Sequence, residues 1–325
     1  MLRYVYQMRY TVRQYQGFRM RVALSTMWAQ QDRFRGHMDD FARIAAEAGY
    51  GAIEPSHSTD TGGLEKLIDS SILPLASLHA PTPRQREYRG RWNGDLNLAS
   101  LDEDERAAAL AATCRTIDYA VRAGAGAVVV HLGSCGDRLL DAERRLRALA
   151  QSGAASGTDA AALRVDAESR RAELAARHLP QAARSLEALA GYAGRAGVAI
   201  GLENRLHYHE IPRYDEVAEL LLPYPADVAG YWHDVGHAEV LHRLGLVDQH
   251  CWLQVNGPRT IGSHLHDVSG ILDHRAPGHG DVDWQYIIDG LPADALRTFE
   301  INQHTPEAFL APALRMLRER GVVPA

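Results

Sequence analysis

Glu203, Asp234, His264 and Glu300 each end a short apolar run with the pattern of a strand: Val198-Ala199-Ile200-Gly201-Leu202-Glu203, Tyr231-Trp232-His233-Asp234, Ile261-Gly262-Ser263-His264 and Arg297-Thr298-Phe299-Glu300. Three carboxylates and an imidazole make a donor set suited to Mn²⁺, Mg²⁺, Co²⁺ or Zn²⁺. Taken singly, each carboxylate has an ordinary alternative, since a strand-end acid also caps a helix or pairs with an arginine. Taken together they call for a cation, because crowded carboxylates repel unless protonated or neutralised. Ala127-Val128-Val129-Val130-His131 ends in the same way, in a side chain able to ligate a metal or move a proton.

Residues so far apart in sequence meet if their strands are parallel and closed into a barrel, because the C-terminal ends of all strands then open on one mouth. From Met20 onward, strand-like runs alternate with helices whose apolar residues recur at helical spacing, as in Phe41, Ile44, Ala45, Ala48 and in Leu110, Cys114, Ile117, Val121. Glu47-Ala48-Gly49, Arg122-Ala123-Gly124 and Arg195-Ala196-Gly197 predict helices closed by a left-handed glycine. Eight such strands favour an α/β fold of the (β/α)8 TIM-barrel type over an open sheet. The pairs Gly49/Gly51 and Gly278/Gly280 lack the context of a dinucleotide fingerprint. Residues 20–325 therefore read as a single barrel, with 137–178 as a helical insertion after strand 4, rich in Ala, Arg and Glu and broken near Ser152-Gly153 and Ser156-Gly157. A solvated insertion is favoured over a lid or an oligomer contact. Residues 1–19, basic and tyrosine-rich, read as an appended N-terminal arm without the apolar centre of a secretory signal.

Composition narrows the partners. A net charge of -6 argues against a broad nucleic-acid face. No apolar stretch approaches the roughly 20 residues needed to cross a bilayer. Cys114, Cys135 and Cys251 are odd in number and far apart, which suits a reducing cytoplasm better than a disulfide framework. Lys66 is the only lysine and lies in a helical stretch, so Schiff-base and pyridoxal phosphate chemistry are not expected. Gly-x-Ser-x-Gly is absent as well.

Leu202-Glu203-Asn204, Asp234-Val235-Gly236-His237-Ala238, His264-Leu265-His266-Asp267 and the loop from His274 to Trp284 carry a resemblance. From about Met20 to its end the chain resembles the xylose isomerase-like TIM-barrel superfamily, which includes sugar phosphate isomerases and epimerases and endonuclease IV. In the isomerase and epimerase branch, the residues matching Glu203, Asp234, His264 and Glu300 hold one divalent ion (Mn²⁺, Co²⁺, Mg²⁺ or Zn²⁺). The implied reaction is proton transfer alpha to a carbonyl through a metal-stabilised enediolate, with Glu203 and Glu300 on opposite faces of the substrate. His237 would donate a hydrogen bond to a substrate oxygen. His79, His131, Arg205, His207, His209, His274 and Arg275 are candidates for substrate contact. Glu54 is one too, or else the partner of a histidine.

The implied substrate is a small sugar, polyol or related hydroxy-carbonyl compound. It is unphosphorylated on this reading, because only Arg275 lies near the last two strands. A homo-oligomer is compatible with it. The endonuclease IV-like branch supplies the alternative, a phosphodiesterase or other hydrolase with two or three Zn²⁺ held through His79, His131, His237 and His274 as well. Asp95-Leu96-Asn97-Leu98-Ala99-Ser100 is similar to that branch, whereas its aspartate two residues before His274 is here Leu272, with Asp273 displaced by one. A barrel that binds a ligand or partner without catalysis is the third reading. His233 should face away from the Asp234 side, and His266 either shares the inward face of His264 or bonds a loop carbonyl.

Overall fold

Parallel pairing joins β1 (Val22–Ser25), β2 (Ala52–Glu54), β3 (Ser77–His79), β4 (Ala127–Val130), β5 (Ala199–Glu203), β6 (Ala229–Asp234) and β7 (Thr260–Leu265), while β8 (Asp267–Ser269) and β9 (Leu272–Arg275) form a small antiparallel hairpin before β10 (Leu296–Phe299) returns to the sheet. The order is β2-β1-β10-β7-β6-β5-β4-β3. Its two ends meet where Ile53 N–H donates to the Pro74 carbonyl at 2.9 Å and Ala76 N–H to the Ile53 carbonyl at 3.0 Å. The result is the expected, nearly closed (β/α)8 barrel. This computed structural model describes residues 21–324, so the arm at 1–19 lies outside the described residues.

The flanking helices are α1 (Met38–Glu47), α2 (Thr61–Asp69), α3 (Glu103–Ala123), α4 (Asp141–Gln151), α5 (Thr158–Ala196), α6 (Tyr214–Leu221), α7 (Val235–Arg243), α8 (His250–Asn256), α9 (Trp284–Gly290) and α10 (Leu310–Glu319). Gly124 and Gly197 cap α3 and α5 with φ of 69° and 75°, as their tripeptides predicted. None of the described helices is long and apolar enough to cross a membrane.

The insertion differs from its sequence reading in two ways. It does not stop at 178: α5 runs 39 residues through Pro180 into the barrel helix. Its buried stripe of Ala160, Leu163, Ala167, Arg171, Ala175, His178, Ala182 and Leu186 continues across the proline at three- and four-residue spacing. Packing along that stripe outweighs the one backbone donor that proline lacks. Nor is the insertion merely solvated, because Glu143 of α4 and Arg171 of α5 are buried against the loop that follows β5.

Inside the barrel, Trp232 packs with Ala127, Val129, Ala199 and Leu296. Its ring fits only because β5 and β7 offer glycine: a Cβ on Gly262 would fall 2.1 Å from Trp232 Cζ3, and one on Gly201 2.7 Å from Cε3. The ring lies against the His264 imidazole, centroids 5.4 Å apart, and so floors the mouth. Gly262→Ala should overpack this layer and cost about 1–3 kcal/mol. Urea unfolding would read the loss, and an unchanged midpoint would show that Trp232 is not wedged.

Candidate active site and metal centre

Period-two alternation sets the inward face. Glu203 follows Gly201, Asp234 follows Trp232, His264 follows Gly262 and Glu300 follows Thr298, so all four side chains turn into the mouth, where they are buried. His264 Nδ1 sits at their centre. It lies 3.1 Å from Glu203 Oε1, 3.2 Å from Glu300 Oε2 and 3.6 Å from Asp234 Oδ2. On its other side, Nε2 is 2.8 Å from Glu54 Oε1. Glu54 is completely buried and also accepts from Ser77 Oγ and Thr298 Oγ1. It is thus the partner of a histidine.

This arrangement tests whether the residues suit a cation. With the ring proton on Nε2 for Glu54, Nδ1 turns a lone pair toward three carboxylates, and a positive charge has to lie between them. His79 repeats the pattern. Its Nδ1 lies 3.2 Å from the Ala80 carbonyl, to which it donates, so Nε2 turns a lone pair toward Glu203 Oε2 at 3.1 Å. Burial lowers the affinity of both imidazoles for a proton, but the carboxylates around them prevail: Glu300, Glu54 and Glu203 hold His264 well above the usual imidazole range, and Glu203 holds His79 above it. Glu300 Oε1 is buried with no hydrogen-bond partner among the described residues. The donor atoms of His79, Glu203, His264 and Glu300 all lie within 4.8 Å of one another, with Asp234 adjoining. Two imidazole nitrogens and two carboxylates around a buried point, with the Asp234 carboxylate 3.6 Å from His264 Nδ1, fit a divalent metal.

The other expected site residues fall into two groups. His131 Nε2 lies 2.8 Å from Glu203 Oε2 and touches the Arg205 guanidinium, which adds to burial in pushing its pKa well down. Arg205 donates to Glu210 Oε1 and reaches Glu203 Oε2 at 3.5 Å. His237 caps the site from α7, whose first turn accepts Asp234 as its N-cap. Its Nδ1 lies 3.0 Å from the Asn204 carbonyl, and burial lowers its pKa. The neutral ring therefore carries its proton on Nδ1 and presents Nε2 as an acceptor, where the sequence reading had it donate to the substrate. His274, at φ 52°, places Nδ1 3.2 Å from Asp273 Oδ2 and Nε2 3.7 Å from Glu300 Oε2. His207 instead turns to the insertion, 3.3 Å from Glu143 Oε1, and His209 is buried nearby. Arg275 is exposed at the end of β9. His233 faces the helical layer and pairs with the Tyr231 hydroxyl at 2.8 Å, as its alternation predicted.

Two participants were missed from the sequence. His57, three residues beyond β2, packs its ring 5.1 Å from His79 and 5.8 Å from His131, and burial lowers its pKa to about 4. A histidine just past a strand end was the available signal. Glu210, which steers Arg205, had no distinguishing motif. His266, within the His264-to-Asp267 motif, bonds the Asp234 carboxylate at 2.9 Å in place of a loop carbonyl.

Residues 42–320 match the family model described as Xylose isomerase-like TIM barrel. No curated protein matches the sequence. A D-tagatose 3-epimerase-like protein superposes with a TM-score of 0.62 at 19% identity, covering 93% of this chain and 98% of that one. For 3-keto-D-glucoside 4-epimerase, YcjR, from E. coli, the TM-score is 0.62 at 16% identity, over 92% and 99% of the two chains. The IolI protein with a bound zinc atom gives 0.60 at 14% identity, over 92% and 97%. At these identities the likeness is one of fold.

Proposed function

We propose, because this chain belongs to the xylose isomerase-like TIM-barrel family, that it is a divalent-metal-dependent isomerase or epimerase of a sugar or sugar-like compound. The reaction is proton transfer at the carbon next to a carbonyl. One observation carries this reading: Glu203 and Glu300 approach the same buried point, 3.1 and 3.2 Å from His264 Nδ1, and Glu300 keeps Oε1 without a partner among the described residues. Two carboxylates at one point suit removal of a proton by one and its return by the other. Glu203, Asp234, His264 and Glu300 would hold the ion, with His79 beside them. Bound there, a divalent ion supplies Lewis-acid polarisation of the substrate carbonyl.

The remaining groups have tasks of their own. Arg205 offers a guanidinium to a substrate oxygen and is aimed by Glu210, whose pKa of about 2 reflects Arg205 and His207 overcoming burial. His237 accepts from a substrate hydroxyl at Nε2. Trp232 closes the floor and keeps water from below. Glu54 fixes the His264 ring. The solved relatives named for sugar epimerases support a sugar as the substrate class.

A second reading, a multi-zinc hydrolase, is favoured by the histidines His79, His131, His237 and His274 converging on the same mouth. Against it, the missing aspartate position holds Leu272, which is 58% exposed. Metal content of protein purified without chelator separates the two. About one ion per chain, exchangeable for Mn²⁺ or Co²⁺, is the expected result; two or three tightly held Zn²⁺ would favour phosphoester hydrolysis, and none would sink both.

Binding should also depend on pH with a definite sign. His79 and His264 hold a proton above the usual imidazole range, and that proton competes with the ion for the same lone pairs. Affinity for Mn²⁺ should therefore rise with pH and keep rising above pH 6.5, the ordinary imidazole value. Calorimetric titration at several pH values would show it, and affinity constant above that pH would contradict the competition.

A further inference from the structure

His266 is a fully buried histidine to which the proposed chemistry gives no task. By distance alone it joins Asp234, His237 and His274 in a group whose donor atoms all lie within 4.8 Å, which has the look of a second cation site. Its hydrogen bonds argue otherwise. The backbone N–H of His274 donates to His266 Nδ1 at 2.8 Å, so Nδ1 carries a lone pair and no proton. The ring proton therefore sits on Nε2, which lies 2.9 and 3.1 Å from the two oxygens of Asp234. For Nε2 to ligate a cation while Nδ1 went on accepting, the ring would have to give up both its protons.

We propose that His266 is a positioning residue that holds the Asp234 carboxylate in one orientation and ties it to the β8–β9 hairpin. This rests on the reading that Asp234 helps to hold a cation. The ring is confined by close neighbours. It stacks on His274, centroids 4.2 Å apart and planes 7° from parallel, and a Cβ on Gly236 would fall 2.1 Å from its Cε1. Gly236, inside the Asp234-to-His237 motif, is thus the space that lets His266 reach Asp234. The amide that sets the tautomer belongs to His274, whose φ of 52° is left-handed. The chain that follows β9 is braced by Asp267 of β8, whose carboxylate accepts from the amides of Gly278 and Val282 and from that of Val268 beside it. The conformation of a loop between β7 and β10 is in this way transmitted to a carboxylate on β6.

Nitrogen-15 NMR of the full chain with labelled histidine reads the tautomer directly. His266 should show a protonated Nε2 in the metal-free protein and keep that proton when Zn²⁺ is added. Loss of the proton on loading would make His266 a ligand and overturn the proposal, as would a metal-free ring protonated at Nδ1. His266→Ala should weaken Mn²⁺ binding about 10–100-fold by calorimetry. His266→Gln, which still offers an N–H toward Asp234, should keep most of the affinity. Equal Mn²⁺ affinity in His266→Ala and wild type would show the hydrogen bond to be idle. If wild type binds no Mn²⁺, the cation reading fails on its own account, and the metal-free tautomer still decides the fate of His266.

Discussion

Glu300→Gln should lower turnover by about 10³-fold while leaving the barrel folded. The substitution keeps the shape of the side chain and removes its ability to take a proton. Glu300 Oε1 has no hydrogen-bond partner among the described residues, so an amide there breaks no structural bond. Oε2 is 3.2 Å from His264 Nδ1 and 3.7 Å from His274 Nε2, and these contacts lose a charge, so the assay needs saturating Mn²⁺. The measurement is uptake of one deuterium from D₂O by members of a keto-sugar panel, read by mass. Wild type should label at least one member, and the variant should label it about 10³-fold more slowly. Full labelling by the variant would remove Glu300 from the proton transfer, and no labelling of any sugar by wild type would count against the epimerase itself.

Arg171→Met is expected to cost about 3–5 kcal/mol of stability, because it leaves a buried carboxylate unpaired. Arg171 is only 2% exposed and grips Glu216 with two nitrogens, at 2.6 and 2.7 Å, while donating to the carbonyls of Tyr208 and Glu210. Glu143 takes the Tyr208 amide at 2.9 Å, and Arg147 holds the Leu206 carbonyl at 2.8 Å. These three insertion residues clasp the loop that carries Arg205 and Glu210, so the insertion helps to build the mouth. Denaturant unfolding would measure the cost, and replacing Glu216 by Met in the same chain should recover much of it, since an apolar pair needs no buried partner charge. A loss below about 1 kcal/mol would mean that Glu216 finds water or another cation, and that the clasp is weak.

The residues that end strands were legible because alternation and parallel closure act locally and repeat: the side chain two places before Glu203, Asp234, His264 or Glu300 shares its face. The glycine caps at 124 and 197 were legible for the same reason, a helix end needing a left-handed residue. That the helix runs on past 178 was not, since what carries α5 through Pro180 is a buried stripe whose partners lie elsewhere in the chain. His57 and His266 looked ordinary, for a histidine shows its task only through what its two nitrogens face.

The sequence by itself therefore determined the barrel and the acids and imidazoles at its mouth, because short-range periodicity and chain direction suffice for both. Only the tertiary structure decided which nitrogen carries each proton. That choice belongs to groups far away in the chain: Glu54 for His264, the Asn204 carbonyl for His237 and the His274 amide for His266. A tautomer is set by the hydrogen-bond partner that burial forces on the ring, and no spacing along the chain records that partner.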